Sequence, residues 1–184
     1  MADNAPSARA LPLLSVLTTN QKGAIAEAAV MKAALELHYD VYRPIFEGGR
    51  YDLIFDVGER LLRVQCKWAP LHGDVLIVRS YSTRRTVTGI VRRTYVAGEF
   101  DALAAYAPDL DRCYLIPYEA IDGGTQLHLR LAPARNNQRR GIRMASDFEF
   151  GATLSQTSLG PIAQLGERRA GSAKVAGSSP AGST

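Results

Sequence analysis

Apolar positions recur at helical spacing from residue 21 to 37, where Ile25, Ala28, Ala29, Ala33 and Leu37 outline one face. Thr18, Thr19 and Asn20 stand just ahead of this stretch as N-cap candidates. The pattern fades at His38-Tyr39-Asp40, and residues 41–45 read as a short strand followed by a Glu47-Gly48-Gly49 turn. Alternation then replaces the helical period. Residues 51–57 and 60–67 predict two strands at hairpin spacing, joined by Gly58-Glu59. Further along, 75–78 predicts a strand, 99–106 a helix ended by Pro108, 113–116 a core strand ended by Pro117, and 126–131 a last strand. Interleaved helices and strands of this kind predict an α/β fold, a mixed α+β sheet flanked by helices. No internal repeat is visible.

Composition refines this into one folded unit with two loose ends. A chain of 184 residues suits one domain, and 46% hydrophobic with 22% charged residues excludes a wholly disordered chain. Residues 1–18 read as a disordered leader, 19–150 as the domain, and 151–184 as a disordered tail. Within that tail, 160–184 is Gly-, Ala- and Ser-rich and resembles a translated transfer-RNA gene. Ile162-Ala163-Gln164-Leu165-Gly166-Glu167 can be written in D-arm codons and Ala176-Gly177-Ser178-Ser179-Pro180 in T-arm codons. No apolar run approaches the ~20 residues that span a bilayer, and no basic, hydrophobic leader marks secretion, so the expected location is the cytoplasm and no membrane partner is expected. Cys66 and Cys113 lack a CxxC or a nearby His pair and are expected to be reduced thiols rather than zinc ligands.

Charge matters by position rather than by sum. The formal net charge is +4, but Arg168, Arg169 and Lys174 against Glu167 put half of it in the tail. Locally the picture differs. Between Asp74 and Glu99 stand Arg79, Arg84, Arg85, Arg92 and Arg93 with no acid, and between Asp122 and Asp147 stand Arg130, Arg135, Arg139, Arg140 and Arg143, again with none. Such surfaces suit nucleic acid. Tyr81 and Tyr95 mix aromatics into the first of them.

The candidate chemistry lies on the hairpin. Strand alternation turns Gln65 and Lys67 to one face and Val64 and Cys66 to the other, and pairing brings Asp52 beside them. A carboxylate, an amide oxygen, the Cys66 backbone carbonyl and an ammonium then share a small volume. Oxygen donors of this kind suit Mg²⁺ (or Mn²⁺), which stabilises negative charge at phosphorus and supplies a nucleophilic water. Asp52 is the expected anchor ligand, with Gln65 and the Cys66 carbonyl beside it. Lys67 orients or deprotonates the water, or steadies the scissile phosphate. Glu27, on the preceding helix, is expected to reach the cluster directly or through a metal-bound water. Arg50 and Arg63 flank it as candidate phosphate contacts, alongside Arg79, Arg84, Arg85, Arg92 and Arg93.

Lys22-Gly23-x-x-x-Glu27, Arg50-Tyr51-Asp52-Leu53-Ile54 and Arg63-Val64-Gln65-Cys66-Lys67 together resemble the PD-(D/E)XK nuclease superfamily, and within it the group I intron-associated homing endonuclease branch, in which Gln replaces the usual acid. The resemblance runs from about Lys22 to Phe150 and takes in Tyr114-Leu115-Ile116-Pro117 and the segment from Leu129 to Gln138. It implies a restriction endonuclease-like core and a metal-dependent endonuclease for double-stranded DNA, acting as a homo-oligomer (dimer or tetramer) and serving a mobile element. Glu27, Asp52, Gln65 and Lys67 match the catalytic set. The chain departs from the pattern at His38, where relatives tend to have Gly, and at Trp68 after the Lys. Two rivals remain open: a structure-selective, junction resolvase-like nuclease, and a catalytically inactive DNA-binding module on the same fold.

Overall fold

The first helix, α1 (Thr19–Glu36), begins at Thr18, whose hydroxyl accepts the Gln21 N–H at 3.3 Å while the Gln21 amide oxygen accepts the Thr18 N–H at 2.9 Å. This capping box satisfies donors that a helix start otherwise leaves orphaned. At the other end His38 N–H donates to Leu35 O at 2.9 Å and Tyr39 N–H to Ala34 O at 3.1 Å, a Schellman closure with His38 in the left-handed region at φ 63°.

The computed structural model describes residues 16–46, 48–121, 123–133 and 141–158. The transfer-RNA-like segment, Arg135, Arg139, Arg140, the Asn137-Gln138 pair and most of the leader lie outside these. In chain order the strands are β1 (Asp40–Tyr42), β2 (Leu53–Asp56), β3 (Leu61–Trp68), β4 (Leu71–His72), β5 (Val75–Arg79), β6 (Tyr81–Thr86), β7 (Gly89–Thr94), β8 (Ala102–Ala107), β9 (Arg112–Pro117), β10 (Gln126–Arg130) and β11 (Arg143–Met144). A second helix, α2 (Phe150–Ser158), closes the described chain. The main sheet runs β1-β2-β3-β8-β9, with β3 and β8 parallel and the other neighbours antiparallel. A smaller sheet runs β11-β10-β5-β4, and β6 and β7 form a separate hairpin. Among the described residues no helix is long and apolar enough to cross a membrane.

Alternation along the central strands divides the core in two. Leu53, Phe55, Leu62, Val64, Cys66, Ala102, Ala104 and Leu115 face the helices and pack with Val30, Ala34, Phe150 and Leu154. Leu103, Ala105, Tyr114 and Ile116 face the smaller sheet and pack with Leu76, Val78, Leu127 and Leu129. Phe55 meets Phe150 edge-to-face with centroids 6.0 Å apart. The two helices and the smaller sheet thus sandwich the main sheet, the mixed α/β architecture that the sequence predicts.

Three sequence expectations are corrected here. The predicted helix at 99–106 is the strand β8, paired on both sides, by β3 and by β9. Its alanines have high helix propensity, but they are buried on both faces and their small size lets the layers close on a central strand. The core face of α1 is Ala26, Val30 and Ala34, whereas Ile25 and Leu37 are exposed. Alanines on every side of this helix leave no sharp apolar stripe to read. The predicted disorder from 151 onward fails for residues 151–158, which are helical and bury Leu154.

Arg63 fastens the parallel pair at its start. Its guanidinium donates to both Asp101 carboxylate oxygens, at 3.1 and 2.8 Å, and to Gly98 O at 2.7 Å, while its N–H donates to Asp101 at 2.7 Å and its carbonyl accepts from Asp101 N–H at 2.9 Å. Burial works against the Asp101 charge, but these donors hold its carboxyl below the usual carboxylate range.

A β-carbon at a left-handed C′ position is strained, and the His38 side chain is exposed. His38→Gly is therefore expected to raise the unfolding free energy by about 0.5–1 kcal/mol, the relief of strain being partly offset by a more flexible unfolded chain. Urea denaturation checks this; an unchanged or lowered midpoint would show that His38 makes a compensating contact.

Candidate active site

Strand β2 starts later than its partner β3 continues, and the site forms in that gap. Leu53 is paired with Val64, but one residue earlier the chain has left the strand, and only the Asp52 N–H still reaches back, to Val64 O at 2.9 Å. The next β3 donor on this edge, the Cys66 N–H, takes the Asp52 carboxylate instead, at 2.7 Å. The Gln65 side-chain amide donates to the same oxygen. In a strand the N–H and C=O of one residue leave on the same side, so the Cys66 carbonyl opens onto this edge as well. Asp52, Gln65, Cys66 and Lys67 are thus brought together as the sequence suggested.

Burial sets the electrostatics. Gln65 is 8% exposed. Desolvation raises the Asp52 carboxyl above its ordinary value, opposed by the Cys66 N–H, the Lys67 charge, the Gln65 amide and Arg43. Desolvation likewise lowers Lys67, opposed by Asp52. Asp52 is the chief compensation for the Lys67 charge, while for Asp52 the Cys66 N–H comes first and Lys67 second, as desolvated charges require. The Lys67 ammonium lies 5.2 Å from the centroid of the Tyr95 ring.

Glu27 approaches from the helix layer, on the other face from Gln65 and Lys67. Its carboxylate takes the Arg43 guanidinium at 2.8 Å. Burial first, then Asp52 and Glu27, push the Cys66 thiol well up, which places both acids around this residue. Arg43 also lowers the Asp52 carboxyl, so it serves both acids. Sequence reading missed Arg43. It follows β1, whose register sets Tyr42 opposite Ile54 and so carries Arg43 towards Asp52, a pairing with no local signature.

The expected phosphate contacts separate into two groups. Arg50, Arg79 and Arg92 are exposed, with Arg92 stacked 5.4 Å from the Tyr81 ring. Arg63 is held by Asp101 and Gly98, and Arg93 is paired with the buried carboxylate of Glu99, so these two have structural partners. The side chains of Arg84 and Arg85 lie outside the described set, though their backbone belongs to the hairpin. Trp68, a departure from the family pattern, carries Lys22 of α1 5.9 Å from its ring.

Among the described residues no three His, Cys, Asp or Glu side chains gather into a metal cage. The donors at the gap are one carboxylate and neutral oxygens, which fit a hard cation that keeps much of its own water and do not fit zinc. Gln65 meets Asp52 through its amide N–H.

A carboxylate, a strand-edge carbonyl and a half-buried ammonium thus meet beside a mixed sheet flanked by helices, a set of groups suited to phosphodiester chemistry. Residues 17–151 match the model of the PD-(D/E)XK endonuclease family, and the chain belongs to that family. It is similar to a solved bacterial homing endonuclease, I-Ssp6803I, at 28% sequence identity and a TM-score of 0.65, over 79% of this chain and 99% of that one. A search of curated proteins gives no match.

Because Gln65 supplies Asp52 with a donor, Gln65→Glu sets two carboxylates against each other. Without divalent cation it is expected to destabilise the fold by roughly 1–3 kcal/mol at neutral pH. One of the two carboxyls would then have a folded-state pKa above its unfolded value, so the loss should shrink as pH falls and a proton is taken up. Denaturation at pH 5 and pH 8 measures this; equal stability of both proteins at pH 8 would contradict the role given to Gln65.

Proposed function

We propose that the protein is a Mg²⁺- or Mn²⁺-dependent endonuclease that hydrolyses duplex DNA by direct attack of water, without a covalent enzyme intermediate. The observation that carries this reading is the Asp52 carboxylate fixed by the Cys66 N–H at 2.7 Å, with the half-buried Lys67 ammonium beside it. Asp52 and the Cys66 carbonyl would hold the cation, with Gln65 fixing the carboxylate and Glu27 adding negative charge from α1. A bound divalent cation supplies Lewis-acid stabilisation of phosphoryl oxygen and acidifies water. Lys67 acts on the attacked phosphate or on the water. Desolvation lowers its pKa, which eases proton transfer, and its charge opposes the negative charge that builds at phosphorus.

The hairpin of β6 and β7 supports a duplex substrate. Every residue of β7 is exposed, and the strand carries Arg92 opposite Thr83 and over the Tyr81 ring of its partner. An isolated two-stranded hairpin gains little stability by itself, so its exposed cationic surface fits phosphate binding. A homo-oligomer that presents two such sites to the two strands, a role in a mobile element, and a cytoplasmic location with both thiols free belong to the same proposal.

Asp52→Ala and Lys67→Ala are each expected to lower Mg²⁺-dependent plasmid cleavage by at least about a hundredfold, with DNA binding retained. Lys67→Ala carries more weight, since Asp52→Ala also strips the Cys66 N–H of its acceptor. Full cleavage by either variant would refute the assignment. Parent protein that binds DNA with salt-sensitive affinity yet never cuts would identify an inactive binding module. Preference for a four-way junction over plasmid would identify a structure-selective nuclease.

A further inference from the structure

Tyr95 stands between the cationic hairpin and the site, just after β7. Its ring meets Phe100 edge-to-face at 4.8 Å, and Phe100 meets Tyr118 in the same manner at 5.5 Å. The Tyr118 hydroxyl donates to Tyr95 O at 3.5 Å. The segment around Tyr95 is also clasped by Glu99, which is almost fully buried: one carboxylate oxygen takes Arg93, and the other takes the Val96 N–H at 3.1 Å. Tyr95 is therefore fixed from both sides of its sequence.

The hydroxyl does not account for a tyrosine here. Tyr95 Oη is buried and has no hydrogen-bond partner among the described residues, an arrangement that costs free energy rather than supplying it. The ring makes the contact that matters, 5.2 Å from the Lys67 ammonium. We infer that Tyr95 is a positioning residue whose ring seats the Lys67 ammonium over the Asp52 gap, and that the Arg93–Glu99 clasp ties this seat to the hairpin. A flexible four-carbon side chain has many rotamers, and an aromatic face with negative potential restricts it to one region without neutralising it. The proposal rests on Lys67 as the working ammonium of the nuclease reading.

Two measurements on the full chain test it. In protein carrying ¹³C-labelled lysine, assigned through Lys67→Arg, the Lys67 ε-methylene protons should resonate upfield of those of the exposed Lys32 because of the ring current. The shift should vanish in Tyr95→Leu and persist in Tyr95→Phe. In single-turnover cleavage, Tyr95→Leu should slow the reaction about tenfold with unchanged DNA affinity, the kinetic equivalent of a desolvated cation–π contact, and Tyr95→Phe should recover that rate. An ordinary Lys67 resonance in the parent chain overturns the proposal whatever the Tyr95 variants do. So does a Tyr95→Phe variant that behaves as Tyr95→Leu. The resonance needs no catalysis, so a chain that shows the shift but never cuts DNA would refute the nuclease reading and leave the ring contact standing.

Discussion

The structure turns on one hydrogen bond, from the Cys66 N–H to the Asp52 carboxylate. A strand interior to a sheet normally offers its donors to a neighbouring strand. Here the pairing of β2 ends with Leu53 opposite Val64 while β3 runs on to Trp68, and a side chain takes the place of the missing backbone acceptor. The substitution satisfies a buried N–H that would otherwise be costly. It also plants a negative charge where the sheet opens, beside the Cys66 carbonyl and within reach of Lys67. Asp52 and Lys67 are then mutually dependent, because each is desolvated and each offsets the other. Asp52, Gln65, Cys66 and Lys67 gather where the pairing of β2 with β3 ends.

The layers on either side keep that point rigid. On one face α1 and α2 pack over Val64 and Cys66; on the other the smaller sheet covers Leu103 and Ala105 of β8. Alanine-rich β8 lets both layers approach the main sheet closely, and the Arg63–Asp101 pair fixes its register against β3. Arg63 thereby serves the fold through β3, on the same strand as Lys67.

The site was legible in the sequence to the extent that it depends on alternation. Residues 64–67 can occupy a strand in only two ways, and either way Gln65 and Lys67 share a face; a tight Gly58-Glu59 turn then brings Asp52 alongside. The α/β class was equally legible. What escaped was whatever depends on partners remote in sequence. The 99–106 stretch reads as a helix because alanine favours one, and only pairing with β3 and β9 makes it a strand. The helix face was misread because small residues surround α1. Arg43 reaches Glu27 through the register of β1 on β2, and Arg63 finds Asp101 across a parallel pair separated in the chain by β4 to β7, so neither contact leaves a local pattern. Tyr95 was visible only as an aromatic in a basic run, since nothing nearby in sequence ties it to Lys67.

The central claim is that the Asp52 edge is where the divalent cation acts. Titrating ¹⁵N-labelled protein with Mg²⁺ tests this directly, because the Cys66 amide hydrogen-bonds to the same carboxylate that would hold the ion. The account predicts a saturable shift of the Cys66 amide and the Gln65 side-chain amide in the parent chain and none in Asp52→Asn. Equal shifts in both proteins, or no movement of these resonances at saturating Mg²⁺, would contradict it.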